Sequence, residues 1–155
     1  MLKIITQPNP ILRKKSQAVK DILAQKIQEL IPQMAETMVN HDGAGLAAPQ
    51  IGKNIRLITV NHKDRVLAII NPKITKKSFL KEWGEEGCLS VPDKFGEVKR
   101  SKSIIIEYID EKNNQKILKA PGLLARVIQH EIDHLDGILF IDKARKLRDI
   151  DPLNT

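Results

Sequence analysis

Gln129-His130-Glu131-Ile132-Asp133-His134 carries two histidines four residues apart. In a helix, residues at that spacing lie one above the other on the same face, so two imidazoles can reach one transition metal. Glu131 points about 100° round the helix from His130, beside such an ion rather than onto it. There it can take a proton from a water held at the site. The motif has this meaning only in a helix, so its flanks matter.

Those flanks favour one. Pro121-Gly122 is a good helix opening and Gly137 a good stop, which predicts a helix over 121–135. With Val127 at zero on the wheel, Leu123, His130 and His134 fall within about 60° on one side. Leu124, Ile128, Glu131 and Leu135 lie on the other side, while Arg126, Gln129, Asp133 and Asp136 form the opposite, polar strip. Both histidines and Glu131 therefore sit on or beside the apolar arc, the face to be buried. A buried charge needs a partner, and a dication supplies one. The alternative is an ordinary amphipathic helix with two hydrogen-bonded core histidines; the adjacent glutamate on the buried side argues against it.

The chain has 155 residues and a net charge of +7, and it contains one cysteine, Cys88. That length suits a single catalytic domain over 1–155. No apolar run reaches membrane-spanning length, and Met1 to Thr6 lacks the basic-then-apolar pattern of a secretory signal, so no membrane partner is expected. A cytoplasmic location follows as an expectation, which a processed organellar protein would equally satisfy. One cysteine excludes an internal disulfide and leaves a free thiol, a ligand or a nucleophile. The basic residues are scattered and aromatics make up only 3% of the chain. This argues against dedicated nucleic-acid binding.

Along the chain, a helix is expected over 21–40, capped by Asp21 and kinked or broken at Pro32. Gly43 to Gly52 reads as a tight loop of small residues into a strand, with Gln50 as a polar side chain suited to amide donation. Residues 55–60 and 66–70 read as strands around a turn at 61–64, and 103–109 as a strand that pairs with 115–119. The stretch 74–83 is weakly strand-like, and 143–148 suggests exposed helical turns. His41 and His62 are expected in solvent. The fold class is thus α+β, with short antiparallel strands packed around the 121–135 helix.

A catalytic metal site takes three protein ligands and leaves a position open. Where a third ligating histidine would follow the motif in one protease class, position 140 is Phe140, and no glutamate follows Glu131. Outside the motif the histidines are His41 and His62, so Cys88, in Glu86-Gly87-Cys88-Leu89-Ser90, is the best remaining candidate. On residues alone, a metallopeptidase or a non-catalytic protein with a structural zinc site stays open.

Three blocks in this order resemble the peptide deformylase family. They are Gly43-Ala44-Gly45-Leu46-Ala47-Ala48-Pro49-Gln50, then Glu86-Gly87-Cys88-Leu89-Ser90, then Gln129-His130-Glu131-Ile132-Asp133-His134-Leu135. The resemblance implies a hydrolase that removes the formyl group from N-formyl-methionyl N-termini of new polypeptides and releases formate. It assigns Cys88, His130 and His134 to one divalent metal ion, Fe²⁺ in the cell, with Zn²⁺, Ni²⁺ or Co²⁺ able to replace it. Glu131 takes the general acid/base role, and the Gln50 side chain and Leu89 backbone N–H take the oxyanion. The substrate is expected to lie along Gly43, Ala44 and Gly45 with Gly87 opposite, its methionine side chain against Val127 and Ala44. Glu86 and Arg100 are expected to pair in support of the Cys88 loop. A monomer is expected, with transient ribosome association as a further partner.

Overall fold

The computed structural model describes residues 1–150; the last five residues of the expected 1–155 domain lie outside it. Helix α1 spans Gln25–Asn40 and helix α2 spans Gly122–Leu135. The strands are β1 (Gly45–Ala47), β2 (Leu57–His62), β3 (Arg65–Lys77), β4 (Lys81–Cys88), β5 (Val91–Ser101), β6 (Ser103–Ile109), β7 (Gln115–Pro121) and β8 (Arg145–Asp149). They form a five-stranded sheet ordered β1-β2-β3-β6-β7 and a three-stranded sheet ordered β4-β5-β8, with antiparallel pairing throughout both. This is the expected α+β fold.

Strand alternation divides the core. Leu46, Leu57 and Ile70 face α1 and pack with Ile27, Leu30, Met34 and Met38. Ala47, Ile58 and Ile69, their neighbours in sequence, face α2 together with Val60 and pack with Ala125, Ile128, Ile132 and Leu135. A third cluster joins Leu12 to Val91, Val98, Leu139 and Phe140. Helix α2 therefore runs between the two sheets, in contact with β1, β2, β6 and β7 of one and β5 of the other.

The turns follow local chemistry. β2 and β3 join through Lys63 and Asp64, whose φ values of 50° and 62° are those of a two-residue type I′ turn. Within β3, Asn71 (φ 52°) precedes Pro72 at a register shift, where a residue without an N–H is tolerated. The Asn71 amide accepts from the Val19 N–H at 2.8 Å and donates to the Val19 carbonyl at 2.9 Å, tying the N-terminal segment to the sheet.

Several expectations need correction. Helix α1 starts at Gln25, not Asp21, because the chain first turns to bury Ile22. It then continues through Pro32 without a break. A lost backbone bond costs about 3 kcal/mol, less than several buried side chains contribute at about 1.5–3 kcal/mol each. Residues 143–148 are not helical: Arg145–Asp149 adds a strand to β5. Ion pairs of Arg145 with Glu97 (2.9 Å), Lys94 with Asp149 (2.6 Å) and Arg148 with Glu85 hold that strand, and Arg145 lies over the Trp83 ring at 3.7 Å. The weak 74–83 strand splits between β3 and β4 at Ser78-Phe79-Leu80. His41 is exposed as expected, while His62 is half-buried. On α2 the polar strip is not left to water: Gln129 is buried, and its amide bonds both the N–H and the carbonyl of Ser101 at 3.2 and 3.0 Å. Leu123, on the apolar side, is exposed instead.

Ile128→Ala, at a fully buried α2 position, is expected to lower stability by about 2–5 kcal/mol in chemical denaturation. Ile117→Ala, on exposed β7 surface, should change it by less than about 0.5 kcal/mol.

Candidate metal and hydrolytic site

Three chain segments meet at the middle of α2. The helix presents His130, Glu131 and His134, all buried. Cys88 ends β4, directly before the two-residue turn Leu89-Ser90 that leads back into β5 at Val91. This turn brings Cys88 Sγ to 3.3 Å from His134 Nε2. A 3₁₀ turn, Ala48–Ile51, follows β1 and carries Gln50 inward. The Gln50 side-chain oxygen, Oε1, accepts from the Ala47 N–H at 2.9 Å, which orients the side-chain nitrogen toward Ser90 Oγ (3.1 Å) and Cys88 Sγ (3.6 Å).

One ligand atom from each of Cys88, His130 and His134 lies within 4.8 Å of the other two. Two imidazole nitrogens and a sulfur suit a borderline or soft divalent ion, and three protein ligands leave a tetrahedral position over. Burial lowers the pKa of His134 well below its ordinary value and so favours the neutral form that ligates. Glu131 is pushed up to about 7, first by burial. Its Oε2 is buried with no hydrogen-bond partner among the described residues. Gly45 makes room for this carboxylate: a Cβ there would lie 2.8 Å from Glu131 Oε1.

His130 is oriented from behind. Its Nδ1 lies 2.8 Å from Glu86 Oε1. The Arg100 guanidinium grips Glu86 with two bonds of 2.9 Å and reaches Asp133 on α2 at 2.6 Å. Burial alone would raise the Glu86 pKa; hydrogen bonds from Arg100 and His130 outweigh it and hold the carboxyl well below the usual range. Glu86 thus stays an anion, as an acceptor that orients an imidazole available to a metal should. The expected pair of Glu86 and Arg100 is present and belongs to a larger network that includes Arg126 and Lys143.

A cleft of about 650 Å³ opens in front of the cluster. Gly43, Ala44, Gly45, Gln50, Gly87, Cys88, Leu89, Val127, His130 and Glu131 all border it; among the expected site residues, His134 alone lies behind this lining. Reading the sequence missed Ser90, which orients Gln50, and Arg126, which bonds Glu86. Arg126 stands four residues before His130, a spacing that could have revealed it. Ser90 closes the Glu86-Gly87-Cys88-Leu89-Ser90 block, but nothing in that pattern indicates its contact with Gln50.

Comparison with known proteins agrees along the chain. Residues 1–149 match the family described as polypeptide deformylase. A peptide deformylase of Syntrophomonas wolfei is 47% identical over 146 residues, covering 94% of this chain and 95% of its relative. The crystal structure of peptide deformylase from Thermotoga maritima superposes with a TM-score of 0.90 at 39% identity, over 94% of this chain and 98% of that one. That of a Synechococcus elongatus peptide deformylase in complex with actinonin gives 0.90 at 40% identity, over 94% and 79%. Sequence and fold agree over nearly the whole length, so the chain belongs to the polypeptide deformylase family.

Proposed function

We propose that this chain removes the formyl group from N-formyl-methionyl N-termini of new polypeptides, with Cys88, His130 and His134 holding one divalent metal ion and Glu131 moving the proton. The observation that carries these roles is a sulfur and two imidazole nitrogens converging beside a buried carboxylate oxygen with no other partner. Fe²⁺ is the ion assigned in the cell, with Zn²⁺, Ni²⁺ or Co²⁺ able to take the same set. When bound, such an ion supplies Lewis acidity to the formyl oxygen and to the attacking water.

The rest falls to the protein. Glu131 accepts a proton from the water as it adds to the formyl carbon. The Gln50 amide and the Leu89 N–H face the oxygen that gains charge, each donor worth about 3 kcal/mol. Glu131 then delivers its proton to the amine nitrogen, the carbon–nitrogen bond breaks, and formate leaves. The peptide lies extended against Gly43, Ala44 and Gly45, with Gly87 across the cleft. Among the described residues β1 has one strand neighbour, β2, so an added strand fits its other side. Val127 and Ala44 border the methionine side chain. The chain works as a monomeric, single catalytic domain in a bacterial-type cytoplasm, with only transient ribosome association and no dedicated nucleic-acid or membrane partner.

Glu131→Ala is expected to keep its metal and lose about 10²–10⁴-fold in kcat, whereas Cys88→Ala loses both. Metal analysis alongside formate release checks this, and full turnover by Glu131→Ala would remove the proton role. Glu86→Ala leaves Arg100 buried without its main counter-charge. It is expected to cost about 3–5 kcal/mol in chemical denaturation and to weaken metal binding about 10–100-fold in a chelator competition.

A further inference from the structure

Arg126 lies one helical turn before His130, and both side chains meet the same carboxylate. Glu86 Oε1 receives His130 Nδ1 at 2.8 Å and Arg100 Nη2 at 2.9 Å; Oε2 receives Arg100 Nε at 2.9 Å and Arg126 Nη1 at 2.7 Å. These contacts use the roughly four acceptor sites a carboxylate offers. Glu86 therefore cannot turn without breaking a bond at each oxygen.

Arg126 adds an anchor that Arg100 does not. Its Nη1 also donates to the Val98 carbonyl and its Nη2 to the Glu82 carbonyl, each at 2.9 Å. One guanidinium thus pins β4, β5 and α2 together at the carboxylate that holds a ligating imidazole. Space for it exists because residue 84 has no side chain: a Cβ on Gly84 would lie 2.7 Å from Arg126 Cζ. Both members of the Arg126–Glu86 pair are largely buried, at 12% and 5% side-chain exposure, so water screens the contact little.

We propose that Arg126 is a positioning residue: through Glu86 it fixes the ring of His130 and so governs how firmly the Cys88–His130–His134 set holds its ion. This rests on the metal assignment made above. Arg126 also borders the cleft beside Leu123 and Val127. A cleft-wall role would act on KM, whereas positioning acts on ion retention and kcat.

The test uses the full chain loaded with Co²⁺, as wild type, Arg126→Met, Arg126→Lys and Gly84→Ala. Arg126→Met keeps the aliphatic bulk and removes the guanidinium; Gly84→Ala displaces the guanidinium without touching residue 126. Release of Co²⁺ to a chelator should accelerate about 10–100-fold in Arg126→Met, with shifted cobalt absorption bands and kcat lowered more than KM is raised. Gly84→Ala should move all three readouts the same way, and Arg126→Lys should recover part of the loss. Unchanged cobalt release and spectrum in Arg126→Met and Gly84→Ala would overturn the proposal, even if either variant unfolds at lower denaturant. A change confined to KM would also overturn it. Should Arg126→Met fail to fold, Gly84→Ala and Arg126→Lys decide on the same criteria. Wild type that takes up no cobalt would instead sink the metal assignment, and this proposal with it.

Discussion

A buried ion pair between Glu86 and Arg100 is the contact on which the rest of the centre leans. Each side chain is nearly inaccessible, at 5% and 4% exposure. Burying two charges is costly, and such pairs persist where both ends are fully hydrogen-bonded. Here the anion also has His130 and Arg126, and the cation also has Asp133. The network therefore joins the three-stranded sheet to α2 through polar contacts rather than through an apolar seam. The five-stranded sheet docks on the other flank of the same helix by aliphatic packing. One flank of α2 is held by volume and the other by geometry, and the two candidate metal-binding histidines lie on the same helix.

This arrangement explains why the site needs residues from three distant stretches. Cys88 is delivered by the turn of the β4–β5 hairpin, Gln50 by the 3₁₀ turn after β1, and the histidines by α2. The Gln50 amide, bonded to Ala47 on one side and Ser90 on the other, links the first two segments. None of the segments closes the centre alone, and the candidate ligand set exists only once the β4–β5 hairpin has docked on α2. Binding an ion to such a set favours the folded chain.

What could be read beforehand follows from how locally each element is specified. Helix α2 was legible because its period, its Pro-Gly start and its paired histidines agree. The β6–β7 hairpin was legible because the apolar run at 103–109 and its partner at 115–119 lie within one short stretch. The β4–β5 hairpin was not: Glu82, Glu85, Glu86, Lys94, Glu97, Lys99 and Arg100 obscure any alternation of apolar and polar residues. Two of these, Glu86 and Arg100, point inward because they neutralise one another; their pairing was expected from the sequence, whereas its extension to His130, Arg126 and Asp133 depends on tertiary contacts. β8 was misread for the same reason, since Arg145 and Arg148 gain partners on β4 and β5 that lie far off in the chain. Gln129 looked like surface on a helical wheel, yet its amide substitutes for a strand neighbour at Ser101. The ligand candidates were accessible by motif and elimination, whereas the shell that orients them was mostly not, because it depends on which strands meet.

The shortness of β1 has a consequence of its own. An exposed strand edge is ordinarily a hazard, since any other extended chain can zip onto it. Gly45–Ala47 covers three residues, too brief a template for sheet-to-sheet aggregation, and under the proposed binding mode long enough to hold the first links of a single polypeptide. In that mode, gripping by main chain would ignore most side chains, so whatever the encoded message, each incoming chain end would present the same handle.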